Sequence, residues 1–281
     1  MKKLIITILK IVFFFVVWVF LLQVTKLDLF KAPPFFADTA ARNELWIQGL
    51  AFFAMLVTTV IFVALIDWGR VVPKLTLAPG RDALYGVIIG AIWIFGTIGL
   101  LMLTSSIEFQ KWETVPHLLI WIIAILINSI TIEYVFRGYP FTVLLQNFGP
   151  VVAITVTSIV YVAVQSEVLN NGLTSILFVL TASILLSLMR YHTKGLLAPI
   201  IASFIWNFIG GLIVGGVSIG AQYPNMLTGD LHGLAIVSGG DAKFEGSAIT
   251  LIVLINLIYL VVLLMKDSKY SRGKGSNRKK V

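Results

Sequence analysis

Eight apolar stretches, at about 4–24, 44–66, 83–104, 115–137, 150–166, 172–190, 195–217 and 247–265, organise this 281-residue chain. The hydrocarbon core of a bilayer is roughly 30 Å thick and takes about 20 apolar residues to cross as a helix. No water is available there for open backbone groups, so a single span must satisfy its own hydrogen bonds. The chain is 58% hydrophobic and only 12% charged. A soluble domain of this length could not bury so much apolar surface. The expected fold is therefore all-α, a polytopic membrane helix bundle of about eight transmembrane helices. The fifth stretch is short, which implies tilt or a buried flanking loop. Lys2, Lys3 and Lys10 lie before and within the first, and no small-x-small cleavage site follows it. It reads as a retained anchor rather than a leader.

Basic residues orient the bundle. Arg70, Lys74 and Arg81 fall between spans two and three, and Arg190, His192 and Lys194 between spans six and seven. The tail at 266–281 holds seven basic residues against Asp267. The loops near 25–43, 105–114 and 218–246 are mixed or acidic. The positive-inside rule then places both termini in the cytoplasm. The tail lacks interleaved aromatics beyond Tyr270, so anionic lipid headgroups suit it better than nucleic acid. Lys31–Phe36 is expected to run extended along the interface. The organisation is one folded unit: helices 1–3 at 1–114, a polar-rich core at 115–217, an outer loop and last helix at 218–265, and the tail. There is no cysteine, so thiol chemistry and disulfides are excluded.

The core holds the unusual residues. Glu133 and Arg137 lie four apart in an apolar stretch, where each charge costs roughly 2.5–3.5 kcal/mol to insert at the bilayer centre. Their spacing puts them on one helix face, where they can pair. Gly138 and Pro140 are expected to kink or end that helix just after Arg137. Asn128, Ser129 and Thr131 share it. Thr157, Ser158, Tyr161 and Gln165 follow on the fifth span, then Ser203, Trp206 and Asn207 on the seventh. Small and amide side chains also join helices in lipid, so polar packing alone accounts for residues such as Ser158 or Asn128. From span ends, Glu133 and Arg137 fall towards the cytoplasmic side and Gln165 near the outer end. His117, His192 and His232 are the only histidines, and all fall at span ends or in loops. No histidine or carboxylate pair has zinc-ligand spacing, so no metal and no cofactor is implied.

At these residues the chain resembles the CAAX-protease and bacteriocin-processing (Abi) family of intramembrane endopeptidases. Its pattern is Glu-Glu-x-x-x-Arg-Gly, then Phe-x-x-x-His, then His-x-x-x-Asn after a Leu-Leu-Ala-Pro-Ile-Ile-like run. Here these read Ile132-Glu133-Tyr-Val-Phe-Arg137-Gly138, Tyr161-Val-Ala-Val-Gln165 and Ser203-Phe-Ile-Trp-Asn207, the last after Leu196–Ile201. The outer segment Gly239–Ser247 also resembles bacterial members. The resemblance implies that the water-activating Glu falls on Ile132, its His partner on Gln165 and the oxyanion His on Ser203. Only Glu133, Arg137 and Asn207 keep the family's residue.

Isoleucine cannot take a proton, and an amide has no useful basicity. A serine could donate to an oxyanion, but it is shorter than histidine. The expectation is a pseudoprotease in a bacterial cytoplasmic membrane. It would bind or regulate another membrane protein or a transmembrane or lipidated peptide, with bacteriocin immunity among the roles implied. An active endopeptidase rearranged around Glu133, with Glu167 as a further candidate, is the alternative. A small-molecule transporter is the third reading.

Overall fold

The computed structural model describes residues 2–110, 112–165, 171–217 and 223–277. Glu167 therefore lies outside the described residues. The long helices are α1 (Lys2–Val24), α2 (Ala40–Val60, continued by a π-helical turn Ile61–Ile66), α3 (Pro79–Leu103), α4 (Leu118–Arg137), α5 (Tyr139–Val164), α6 (Leu173–Thr193), α7 (Leu197–Ile205, continued as a π-helical stretch Trp206–Ile213) and α8 (Ala248–Asn277). Among the described residues, six helical stretches are long and apolar enough to cross a membrane, and the 47-residue one at Leu118–Val164 contains both α4 and α5. With the shorter apolar helix Leu197–Ile213, the eight expected segments are present in order. This is an all-α polytopic bundle. Among the described residues its strands are the antiparallel pair β1 (Ile107–Phe109) and β2 (Gly229–Leu231), which tie two outer loops together.

Local chemistry sets several boundaries. Thr39 caps α2 by accepting from the Arg42 N–H, and Pro79 sits in the first turn of α3, where its missing N–H is not needed. Near Lys31–Phe36 the expected extended run is instead broken by a short helix, Pro34–Ala37. There the Trp46 Nε1–H donates to the Phe30 carbonyl at 2.9 Å.

The fifth span corrects the sequence reading. Helix α5 begins at Tyr139, not 150, and kinks at Gly149, whose φ of 83° only glycine adopts easily. The ten residues before the kink continue inside the bundle beside α1. Tyr139 stacks on Phe14 at 5.3 Å. The Asn147 amide donates to Thr7 Oγ1 at 3.2 Å, one to two turns nearer the start of α1.

Helices α3 and α7 pack through small residues. A Cβ added at Gly86 would lie 2.6 Å from the Ala198 carbonyl, and one at Gly90 would lie 3.0 Å from Ala202 Cα. Gly86-x-x-x-Gly90 against Ala198-x-x-x-Ala202 is thus a close helix crossing of the small-residue kind. Gly86→Leu is expected to force these helices apart and destabilise by about 1–3 kcal/mol. A drop in melting temperature of the detergent-solubilised protein checks this.

The basic loops gather at one end. Leu196 N–H donates to the Lys74 carbonyl and Leu197 N–H to the Leu75 carbonyl at 2.8 Å, joining the two basic loops of the sequence reading. Lys10 pairs with Asp67, which also accepts from the Tyr139 hydroxyl. At the opposite end the glycine-rich segment folds inward. Phe244 is fully buried against Gly216, where an added Cβ would stand 2.3 Å from its ring. Lys243 Nζ donates to the Gly215 carbonyl at 2.7 Å, and the Phe244 N–H to the Gly216 carbonyl at 2.9 Å.

A candidate polar site at mid-depth

Arg137 is a buried charge with partners on three helices. Its side chain is fully buried, and Nη1 donates to Glu133 Oε1 at 2.7 Å. Nη2 donates to Ser183 Oγ at 2.8 Å and Nε to Ser187 Oγ at 3.3 Å, both on α6. The guanidinium also stands 5.2 Å from the centre of the Tyr161 ring on α5, a cation–π contact that strengthens where water is excluded. Arg137 therefore fastens α4, α5 and α6 together. Arg190 adds a second link, donating from Nε to the Arg137 carbonyl at 3.3 Å.

This cluster is deeper than span ends implied. Phe136 packs on Phe15 at 5.5 Å and on Trp18 at 6.1 Å. Phe15 lies 13 residues along α1, which at 1.5 Å each is about 20 Å from its start. The ten extra residues between Gly138 and Gly149 carry the chain to the basic end, so Glu133 and Arg137 sit at mid-depth. Asn207 is ten residues along α7, about 15 Å in. The three motif-bearing helices thus reach a common level.

The first two motifs meet. Tyr161 is edge-on to Phe136 at 4.8 Å and feels the charges of Arg137, Glu133 and Glu245, with the Gln165 side chain beside its hydroxyl. Ile132 does not join this polar group. It is half-buried and packs with the apolar cluster built on Phe14, Trp18, Phe62 and Tyr139. The third motif stands apart. Ser203 Oγ donates to the Ile200 carbonyl of its own helix at 3.1 Å. Among the described residues, no hydrogen bond joins Ser203 or Asn207 to Glu133, Arg137 or Gln165. Asn207 is the second residue of the π-helical stretch, next to Trp206, which stacks on Trp93 at 4.4 Å.

Several partners were missed in sequence. Ser183 and Ser187 hold Arg137, yet isolated serines in an apolar helix carry no signal of their own. Glu245 is buried, at 2% exposure, on the inward-folding outer segment. The bulky Phe244 between two glycine-flanked turns is the one cue that this loop enters the bundle.

The cluster retains unused hydrogen-bonding capacity. Glu133 Oε2, Ser129 Oγ and Ser158 Oγ are buried without a hydrogen-bond partner. Buried polar atoms in this condition accept water or a ligand. His117 precedes α4, and no group of three histidines, aspartates or glutamates converges as a metal site among the described residues.

Residues 114–209 match the family model described as Rce1-like, type II CAAX prenyl endopeptidase. Neither the curated proteins nor the solved structures contain a match to the chain. The matched stretch runs from just before α4 into the π-helical continuation of α7 and includes all three motifs.

Proposed function

Taking the chain as a multi-pass membrane protein of the CAAX-protease-like family, we propose that it is a pseudoprotease that binds rather than cleaves. The observation that carries this reading is the fate of the hydrolytic positions. Ile132 is half-buried against an apolar cluster, Gln165 offers only an amide, and Ser203 is tied to its own helix. Hydrolysis of a peptide bond needs a group that takes a proton from water. None of these three can. The groups that persist, Glu133 and Arg137, serve to hold helices together.

The same geometry supports binding. A transmembrane or lipidated peptide brings backbone carbonyls and N–H groups into a dry environment, where each must find a partner. Glu133 Oε2, Ser129, Ser158 and Gln165 are available to such groups. The membrane is read as the cytoplasmic membrane of a bacterium, on the likeness of the Gly239–Ser247 segment. Residues 115–217 are read as the binding core.

One observation favours an active enzyme. Glu133 Oε2 is a buried carboxylate oxygen that Arg137 leaves unengaged. Glu133→Gln separates the readings. The pseudoprotease reading expects Arg137 to lose its countercharge, with lower melting temperature and several-fold lower abundance, since 1–2 kcal/mol suffices for that. An active enzyme built on Glu133 would lose, besides that stability, a processing event that wild type performs.

A further inference from the structure

At the basic end of the bundle, α1 and the first part of α5 line an open pocket of about 460 Å³ bounded by Lys3, Ile6, Thr7, Lys10 and Asn147. That is within the roughly 300–1,000 Å³ of small-ligand sites. Lys3, Thr7 and Lys10 form one stripe along α1, at spacings of four and three. Asn147 reaches across from α5 and is fixed by its bond to Thr7. The lining thus offers two ammonium groups, an amide and a hydroxyl. Lys10 gives one donor to Asp67, and an ammonium has three. Among the described residues the acid bonded to this lining is that Asp67, which also accepts from Tyr139, so a net positive charge remains.

We propose that this cavity binds the phosphoryl headgroup of an anionic phospholipid. Lysine ammonium groups are point-charge phosphate binders, and basic pockets at one membrane face collect acidic headgroups. The apolar side agrees. Ile6 forms one wall, and Phe13, seven residues further on the same stripe, is 54% exposed towards where acyl chains would run. A lipid here would join α1 to α5 beside the Lys10–Asp67–Tyr139 contact, and so brace the helix that leads into the mid-depth cluster.

The test uses the full chain in nanodiscs of phosphatidylcholine, with and without phosphatidylglycerol. Melting temperature and retained lipid by native mass spectrometry are both read. Three proteins are compared: wild type, Lys3→Glu/Asn147→Leu, and a tail variant with Lys269, Arg272, Lys274, Arg278, Lys279 and Lys280 changed to Gln. Phosphatidylglycerol is expected to raise the melting temperature of wild type and of the tail variant by a similar amount. The cavity variant is expected to lose the shift and the retained lipid. Should that double variant fail to fold, Lys3→Gln alone, on an exposed side chain, is expected to lose about half the shift or more. Soluble glycerol phosphate, added to phosphatidylcholine nanodiscs, separates the sources. A shift there that the cavity variant lacks would keep the site and assign it a free anion. A lipid shift that survives in the cavity variant, or that vanishes with the tail, would overturn the proposal.

Discussion

Arg137→Leu is expected to remove most of the folded protein from the membrane. The substitution strands Glu133, which is 1% exposed, without the ionic partner it has among the described residues. It also frees Ser183 and Ser187 from their side-chain acceptor roles. Breaking a buried pair from one side costs about 3–5 kcal/mol, much of the 5–15 kcal/mol that holds a typical protein folded. Arg137→Lys is expected to rescue little, because a single ammonium cannot reach in the three directions that the planar guanidinium serves. Glu133→Leu/Arg137→Leu is the informative partner. With both charges gone the buried penalty disappears, so the double variant is expected to be more abundant and to melt higher than Arg137→Leu alone. Quantitative immunoblotting of membranes and melting curves in detergent read both effects. A double variant no better than the single would mean that the serine contacts, not the ion pair, hold the cluster.

Gly239→Val is expected to unfold the inward-folding outer segment. The residue has φ of 97°, and a Cβ there would stand 1.5 Å from the Lys243 carbonyl oxygen. A β-branched side chain at positive φ is strained by roughly 1–3 kcal/mol even in open space, and here backbone blocks it as well. Release of the segment withdraws Phe244 from Gly216 and Glu245 from the bundle. Limited proteolysis should then cut between Ala235 and Ser247, where wild type resists. If the cluster at Tyr161 depends on Glu245, peptide binding should fall together with the protection.

How far the sequence led depends on the kind of signal. The eight apolar segments were legible because bilayer thickness sets helix length and composition reports it. Glu133 and Arg137 were legible as a pair because i,i+4 spacing fixes their faces. The start of α5 was not. Gln146, Asn147, Gly149 and Pro150 interrupt the apolar run and read as a boundary, although Tyr139–Leu144 are buried helix. That one misplaced boundary also displaced the depth of Arg137. The anchors on α6 were hidden for another reason. A serine gains meaning only from what faces it, and the arginine facing Ser183 is 46 residues away in the chain. The Gly86/Gly90 crossing could have been found, since its spacing is visible in sequence. Glu245 was harder, because the neighbouring Phe244 is the single local cue that this polar loop turns inward.

The most direct measurement is cleavage of a panel of lipidated and transmembrane peptides by purified protein, read by mass spectrometry. Wild type is set beside Ile132→Glu/Gln165→His/Ser203→His, which restores the three groups the family pattern supplies. The account predicts that wild type retains one or more peptides intact and cleaves none, and that any cleavage is confined to the restored variant. Cleavage by wild type that disappears in Glu133→Ala would contradict it and place a working centre on Glu133.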